Sequence, residues 1–415
     1  MEKKQNVPVL RFQGFSSEWE VYHLGDLGNL KNGMNFEKEA MGKGYPFVNL
    51  QNIFGRNVIE EGNLGKAMAS ASQLSDYDLK AGDVLFVRSS VKLEGVGESA
   101  VVCKDLPNTT YSGFIIRFRD EVGIDNNFKR FVFSVNNVRK QIISQATNSA
   151  NKNISQSVLS SLKLSLPDKK EQERIGAFFV NLDGMIAAFR NKIQKLQQFR
   201  QAMLMKFFPR EGAAEPELRF RGFSDKWRME KFSKLVFIER GGSPRPIDSY
   251  ITNAEDGLNW VKIGDAPKYG IYITHTAEKI KPAGLSMTRQ VYPGDLILSN
   301  SMSFGRPYIM TITGCIHDGW LLIRNSNKIF DLKFLYCLLG SPNVLKQYKA
   351  LAAGSAVNNL NKALVGSVII QYPSMEEQKQ IGKFFDQLDS FISLQQKKLE
   401  RMQRLKGALL EKMFV

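Results

Sequence analysis

The chain has 415 residues, of which 43% are hydrophobic, so it can bury the cores of two or more domains. Its three scattered cysteines cannot form a disulfide framework, its N-terminus carries no secretory signal, and no apolar run approaches the roughly 20 residues of a membrane helix, so we expect a cytoplasmic protein with no membrane partner. The net charge of +16 favours a polyanionic partner, although charge alone would also keep the protein soluble.

The N-terminal segment predicts the organisation of the whole chain, because it recurs near the middle. Leu-Arg-Phe-Gln-Gly-Phe-Ser at residues 10–16, followed by Trp19, returns as Leu-Arg-Phe-Arg-Gly-Phe-Ser at residues 218–224, followed by Trp227. The interval is too long for a solenoid and indicates two domain-sized units. The units are alike at their edges and unlike inside, which predicts one scaffold that carries two different readers.

Each unit then predicts short strands, because turn residues are followed by apolar runs. The sequence Gly-Asp at 82–83 precedes the first such run, and Gly-Asp at 294–295 precedes the matching run. The predicted strands cover residues 84–87, 114–118, 296–298 and 320–323. Helices are expected near residues 128–145 and 332–353.

A second repeated motif opens two long predicted helices. The pattern Pro-x3-Glu-Gln-x2-Ile-Gly-x-Phe-Phe-x2-Leu-Asp begins at Pro167 and again at Pro373. Apolar residues then recur every three or four positions as far as residues 208 and 414, which is the stripe of an amphipathic helix.

The helix starts carry two further expectations. Asp168 and Glu171 have the spacing of a capping box, and the matching positions of the second helix have it too. Gly176 and its counterpart Gly382 lie inside the helices, where glycine costs about 1 kcal/mol relative to alanine. The shared cost predicts that another backbone approaches closely at both sites.

Neither helix can leave such an apolar face in water, so we expect the two to form an antiparallel, coiled-coil-like pair. The alternative is that each helix packs only on its own domain. The residues expected between the helices or against a partner are Ile175, Phe178, Phe179, Leu182, Ile381, Phe384, Phe385 and Leu388.

The sequence offers little catalytic or metal-binding chemistry. It has no P-loop and no GxGxxG motif after a strand, so no nucleotide or methyl-donor site is predicted. His23, His275 and His317 are far apart and lack metal-ligand spacing. Ser112 and Ser299 lack a nucleophile elbow. We therefore expect the chain to hold no cofactor or metal and to catalyse nothing on its own.

Polar and basic residues gather instead in loops that follow the predicted strands or close each unit. Arg, Lys, Asn and Gln read base edges in the major groove, and Ser and Thr serve bases or phosphates. For any single residue the alternative is an ordinary turn, which also favours Asn and Ser. The candidate DNA-binding residues are Arg88, Ser89, Ser90, Lys92, Asn148, Asn151, Lys152, Asn153, Arg245, Ser299, Asn300, Ser301, Arg306, Asn358, Asn359 and Lys362.

Together these features resemble the specificity subunit of type I restriction–modification systems. The resemblance is carried by the two repeated motifs, by the Gly-Asp strands and by Glu-Arg-Gly-Gly-Ser-Pro at 239–244, and it spans nearly the whole chain. It implies a non-catalytic chain that reads a bipartite, asymmetric site in double-stranded DNA and directs adenine methylation and restriction. It also implies two methyltransferase subunits, which use S-adenosylmethionine, and motor-nuclease subunits, which use ATP and Mg²⁺.

The resemblance implies an α+β fold with two pseudo-repeated globular target-recognition domains, each followed by a long helix, and the two helices packed as a pair. The expected division is a first target-recognition domain at 1–167, a central spacer helix at 168–210, a linker at 211–216, a second target-recognition domain at 217–373 and a C-terminal spacer helix at 374–415.

Two alternatives remain from the residues alone. A basic, coiled-coil-linked scaffold would bind nucleic acid or an acidic protein without reading bases. A metal-dependent nuclease is suggested by Pro167-Asp168, but no acidic-x-Lys strand follows, and a helix cap explains Asp168 better.

Overall fold

The computed structural model describes residues 6–147, 151–300, 305–353 and 359–415. The chain forms two compact units: unit 1 contains residues 1–188 with 400–415, and unit 2 contains residues 189–399. Each unit therefore includes part of both long helices. The division of the helices into separate spacer domains stays a prediction.

Unit 1 combines short strands with short helices and one end of each long helix. Its strands are β1 Glu20–His23, β2 Gly28–Asn32, β3 Met41–Val48, β4 Gly65–Ala67, β5 Val84–Val87, β6 Ser89–Ser90, β7 Ser99–Val101, β8 Thr110–Tyr111, β9 Ile115–Asp120, β10 Lys152–Asn153 and β11 Lys163–Leu166. Its helices are α1 Ala71–Asp76, α2 Asn126–Val132, α3 Asn136–Gln145, α4 Gln156–Ser160 and the start of α5 Lys169–Phe207.

Unit 2 has the same kinds of element. Its strands are β12 Arg228–Lys231, β13 Phe237–Arg240, β14 Ile251–Thr252, β15 Leu258–Val261, β16 Tyr272–Ile273, β17 Glu278–Ile280, β18 Arg289–Val291, β19 Leu296–Ser299, β20 Pro307–Met310, β21 Gly314–Ile316, β22 Trp320–Arg324 and β23 Ile369–Tyr372. Its helices are α6 Leu332–Leu339, α7 Pro342–Ala353, α8 Lys362–Ser367 and the larger part of α9 Met375–Met413.

The two units share a common strand order, and unit 2 has β16 and β18 in addition at sheet edges. In unit 1 the main sheet has the order β2-β9-β5-β7 and the second sheet β4-β3-β8; in unit 2 the orders are β13-β22-β19-β20-β16 and β14-β17-β15-β21-β18. In the second sheets β3 pairs parallel with β8 and antiparallel with β4, and β15 pairs in the same way with β21 and β17. The two interiors, which differ in sequence, therefore share a set of paired strands that we call the frame. It consists of β2, β9, β5 and β7 with β4, β3 and β8 in unit 1, and of β13, β22, β19 and β20 with β17, β15 and β21 in unit 2.

The predicted strands are found, but each of the two short predicted helices is divided. Across residues 128–145 the chain forms α2 and α3, and between them the Ser134 hydroxyl donates to the Phe131 carbonyl. Residues 332–353 form α6 and α7, because Gly340 caps α6 and Pro342 disfavours helix at Ser341.

Gly176 and Gly382 of the long helices have the close neighbours that the sequence predicted. A Cβ on Gly176 would lie 2.6 Å from the amide nitrogen of Phe128, and one on Gly382 would lie 2.8 Å from that of Phe334. These amides belong to the first turns of α2 and α6. Glycine is therefore required, because any side chain would push the matching short helix away.

The capping boxes are only half correct. The Asp168 carboxylate accepts from the Glu171 N–H at 2.9 Å, as expected. The Glu171 side chain, however, does not turn back to the helix start: its carboxylate accepts Arg11 Nε and Nη2 at 2.7 and 2.6 Å. A planar guanidinium satisfies both carboxylate oxygens at once, which a single backbone N–H cannot do.

The same ion pair recurs in unit 2. Arg219 Nε and Nη2 donate to the Glu377 carboxylate at 2.9 and 2.7 Å. The two sequence motifs of each repeat are therefore two sides of one buried contact. Hydrogen bonding to these carboxylates raises the pKa of Arg11 and of Arg219.

The two long helices run antiparallel in each unit. In unit 2 the Phe207 ring contacts those of Phe384 and Phe385, and Arg200 Nη2 donates to Asp389 at 2.9 Å. In unit 1 the start of α5 meets the end of α9, where Asp183 pairs with Lys406. The predicted antiparallel pairing of the helices is confirmed, and the alternative, in which each helix packs only on its own domain, is wrong.

Candidate nucleic-acid interface

Two of the predicted contact segments of unit 1 lie side by side. Strand β6, formed by Ser89 and Ser90, pairs antiparallel with β10, formed by Lys152 and Asn153. The Ile154 N–H also donates to the Arg88 carbonyl at 2.9 Å. Residues that are more than sixty positions apart in sequence therefore present one surface at the end of β5.

Unit 2 has the same backbone arrangement. Asn300 occupies the position of Arg88, since its carbonyl accepts from the Leu360 N–H at 2.9 Å. Its N–H donates to the Gly319 carbonyl, as that of Arg88 donates to Phe114. The loops after the two Gly-Asp strands are therefore equivalent positions of one frame.

Two predicted contact residues of unit 2 are buried and do not suit a DNA surface. Ser299 is fully buried, and its hydroxyl accepts from the Arg306 N–H at 3.1 Å. Asn300 is 3% exposed and donates its side-chain amide to the Asp318 carbonyl at 2.8 Å. Both side chains complete the turn at the end of β19, which is the alternative that the sequence left open for each residue.

The remaining candidates differ in exposure. Lys92, Asn151, Arg245, Arg306, Asn359 and Lys362 are exposed, whereas Arg88, Ser89, Ser90, Lys152 and Asn153 are partly exposed. Asn148, Ser301 and Asn358 lie outside the described residues. The Arg88 guanidinium donates to the Gly113 carbonyl at 3.3 Å, and the Asn153 side chain donates to the Asn151 carbonyl at 2.8 Å.

Beside β6 lies a cavity of about 550 Å³, which we call the unit 1 cavity. Four of the predicted contact residues line it: Ser89, Ser90, Lys92 and Asn151. Its apolar lining consists of Leu50, Phe54, Val91 and Phe114. The sequence analysis missed these four, although Val91 stands between polar contact residues and Phe114 follows a Ser-Gly turn.

Unit 2 has a polar cavity of about 600 Å³ beside Arg245. Trp260, Lys262, Glu278 and His317 also line it, and Lys262 forms an ion pair with Glu278. In unit 1 the position of Trp260 is taken by Phe47, whose ring meets Phe36 edge-on at 4.4 Å between centroids. The same place in the frame is therefore filled with aromatic rings in unit 1 and opens into charged side chains in unit 2.

A second duplicated ion pair supports the strands that carry these loops. Arg119 Nε and Nη2 donate to Asp83 at 2.8 and 2.7 Å, and Arg324 donates in the same way to Asp295 at 2.9 and 2.6 Å. Hydrogen bonding to the carboxylates raises the pKa of both arginines. The aspartates of the Gly-Asp motifs thus fix the starts of β5 and β19 and do not face a ligand.

The residues predicted at the helix interface are mostly buried. Ile175, Phe179, Leu182, Ile381 and Phe385 are buried, and Phe178, Phe384 and Leu388 are partly buried. Each long helix also carries large apolar side chains in contact with water. They are Met185, Phe199 and Met205 on α5 and Phe391, Leu394 and Leu405 on α9.

Within the described ranges, no cluster of three or more His, Cys, Asp or Glu side chains could hold a metal ion. No helix in this part of the chain is both long and apolar enough to cross a membrane. Cys103 is exposed, and burial raises the pKa of the Cys315 thiol to about 11.

The chain matches the family model for the type I restriction modification DNA specificity domain over residues 16–198 and again over residues 258–404. The chain belongs to this specificity family. The two matches cover most of both repeats. As a family member, the chain is a DNA-recognition subunit of the type I restriction–modification class.

Individual relatives agree with this family. The MjaX specificity subunit of Methanocaldococcus jannaschii is 24% identical over 423 residues, covering 98% of this chain and 95% of that protein. The type I restriction enzyme EcoKI specificity subunit of Escherichia coli is 26% identical over 195 residues, covering 46% of this chain and 42% of that protein. The S subunit of a type I system from M. genitalium shares the fold, with a TM-score of 0.62 at 16% identity over 99% of both chains.

Proposed function

We propose that this chain reads an asymmetric, bipartite site in double-stranded DNA, one half-site with each unit, and directs adenine methylation there. The proposal rests on the duplicated frame. In unit 1 Ser89 and Ser90 lie beside an apolar cavity at the end of β5. At another place in the frame, unit 1 packs Phe36 on Phe47, whereas unit 2 has a charged cavity beside Arg245. One frame with two linings suits two half-sites of different sequence.

The reaction itself belongs to partner subunits in this proposal. Two methyltransferase subunits would bring S-adenosylmethionine, and motor-nuclease subunits would use ATP and Mg²⁺ to cleave unmodified DNA. The repeated edges offer two similar docking surfaces for a partner present in two copies. The exposed apolar side chains of α5 and α9 support docking there, because large apolar groups gain free energy when they are covered.

The proposal is tested by sequencing the methylated adenines in the DNA of the source cell, with and without this chain. We expect one bipartite motif to lose its methylation when the chain is absent. The purified chain should methylate nothing alone and should restore methylation of that motif when mixed with the methyltransferase. Methylation or metal-dependent cleavage by the chain alone would contradict the division of roles.

Competition with random duplex DNA separates this function from that of a scaffold. A specific reader binds its site more tightly than random duplex by at least about a thousandfold at physiological salt. A scaffold without base readout would bind both equally and would lose affinity with salt to the same degree.

We further propose that the helix pair sets the gap between the half-sites. Seven residues inserted into α5 after Ala188, together with seven into α9 after Leu399, add about 10 Å of helix and return each helix nearly to its original face. The methylated motif should keep both half-sites and gain about three base pairs between them. An unchanged gap would contradict the spacer.

A further inference from the structure

Three segments of unit 1 bring large apolar side chains together at the protein surface. Phe54 follows β3, Val91 follows β6 and Phe114 precedes β9. They are 38%, 79% and 59% exposed, and all three line the unit 1 cavity. Apolar groups from separate segments that meet in water indicate a surface that is covered in a complex.

Several side chains that line this cavity can form hydrogen bonds. Hydroxyl and amide groups can donate and accept hydrogen bonds, and Ser89, Ser90 and Asn151 supply them here. The Ser90 hydroxyl accepts from the Lys92 N–H at 3.2 Å and has its own O–H as a donor. The pairing of β6 with β10 holds the backbone of Ser89 and Ser90 in place. A cavity lined by both apolar and hydrogen-bonding side chains therefore favours a ligand that combines a small apolar group with hydrogen-bonding atoms.

The charges around the cavity disfavour a phosphate as its occupant. Glu94 and Glu98 line it together with Lys92, and the Glu98 carboxylate accepts from the Gly55 N–H at 2.9 Å. Two carboxylates repel a phosphate anion, whereas an uncharged base edge meets no such penalty. Lys92, exposed beside the cavity, suits the neighbouring DNA backbone.

The major-groove edge of a T·A pair has the required combination. Thymine presents its 5-methyl group and the O4 acceptor, and the paired adenine presents the N6 donor and the N7 acceptor. Resting on the proposed function, we infer that the unit 1 cavity receives the 5-methyl group of a thymine in the half-site that unit 1 reads. Val91 and Phe114 are then specificity-determining residues for that base.

Among the described residues, unit 2 differs from unit 1 at the position of Phe114. Gly319 stands where unit 1 has Phe114, because the two carbonyls accept from the matching N–H groups of Asn300 and Arg88. Glycine offers no side chain to hold a methyl group. At this position of the frame the two units therefore offer a base different side chains.

The test removes the methyl group from the DNA without changing its base pairing. The full chain with its methyltransferase binds duplexes of the methylome-defined site in which each thymine in turn is replaced by deoxyuridine. We expect one position, in one half-site, at which the loss of the methyl group weakens binding about fourfold, the factor that burial of one methyl group supplies.

The variants assign that position to the cavity. Val91→Ala and Phe114→Ala should bind the thymine and deoxyuridine duplexes equally at that position and should retain discrimination elsewhere. The matched control is Val122→Ala, because Val122 is 58% exposed in the same unit but does not line the cavity. The control should keep the full preference for thymine.

Three results would overturn the inference while the proposed function stands: no thymine sensitive to loss of its methyl group, a sensitive thymine whose discrimination survives in both cavity variants, or loss of discrimination in Val122→Ala as well. If wild-type protein does not prefer the methylome-defined duplex over a random one, the proposed function fails first. The two failures are therefore distinguishable.

Discussion

In unit 1 the strand β3 runs from Met41 to Val48, with an irregular stretch between Met41 and Tyr45. In unit 2 a longer loop divides the matching stretch into β14 and β15, yet both strands still pair with β17, as β3 pairs with β4. The frame thus tolerates an insertion without losing its register. Loops over a fixed frame can change length because few contacts depend on them.

The comparison also separates what the two units must share from what they can vary. They share the glycines beneath α2 and α6, the Arg–Glu pairs and the Asp–Arg pairs, all of which lie inside the frame. They differ where side chains reach the surface, with Phe114 against Gly319 and Phe36 against the space beside Arg245. Buried, geometrically demanding contacts are repeated, and exposed ones diverge.

The largest expected effect concerns the buried Arg–Glu pairs. Glu171→Ala and Glu377→Ala should each reduce the free energy of unfolding by about 3–5 kcal/mol, because each removes the carboxylate that accepts two hydrogen bonds from a mostly buried guanidinium. Arg219 would keep only its 3.9 Å ion pair with Glu215. Urea unfolding measures the change. The controls are the exposed neighbours Glu173→Ala and Glu376→Ala, which should change it by no more than about 0.5 kcal/mol. A large loss in one unit only would break the equivalence of the units.

The next largest effect concerns two helical glycines at which alanine, normally the better helix former, should be unfavourable. Gly176→Ala and Gly382→Ala should destabilise by about 1–3 kcal/mol, because the new methyl group overlaps α2 or α6. Gly184→Ala and Gly407→Ala, in the same helices but with nothing within 4 Å, should instead stabilise by up to about 1 kcal/mol. Thermal unfolding of the four variants checks the signs. Stabilisation by all four would mean that the close contacts are absent in solution.

A third prediction tests whether each unit reads its own half-site. Lys92→Ala should affect only the half-site of unit 1, and Arg245→Ala only that of unit 2. A residue that contacts a base loses about 1–3 kcal/mol of discrimination at one position, whereas a phosphate contact weakens all sequences evenly. Binding to duplexes randomised in one half-site distinguishes these outcomes. If either variant altered both half-sites, the assignment of one half-site to each unit would be wrong.

The smallest effect is expected from moving the chain ends. The Leu10 N–H donates to the Lys412 carbonyl at 2.8 Å, as the Leu218 N–H donates to that of Lys206 at 2.9 Å. Direct joining of Val415 to Met1 makes the first connection one residue longer than the second. A permutant opened within residues 211–216 should therefore keep its stability within about 1 kcal/mol and bind the same DNA site. Loss of either property would show that the connections are not equivalent.

The sequence anticipated the repeated parts well, because their signals are local. The long helices, the strands after the Gly-Asp turns and the tight sites at Gly176 and Gly382 follow from periodicity and from residues with one conformational use. It also placed Ser89 and Lys152 in loops that prove to be paired. The break at Ser341-Pro342 carried a local signal that the broad helix prediction overlooked.

The sequence alone determined that this protein is a duplicated frame with paired helices, since equal spacing of equal motifs and an apolar stripe need no further information. Only the tertiary structure decided the partners of Glu171 and Asn300. Glu171 forms an ion pair with Arg11, and Asn300 is buried in a turn, where its side chain donates to the Asp318 carbonyl. The tertiary structure also brought Phe54, Val91 and Phe114 to one cavity. The physical reason is that residues far apart in sequence become neighbours only when the chain folds. The residue type determines which groups a side chain can bind, and the fold determines which groups lie within its reach.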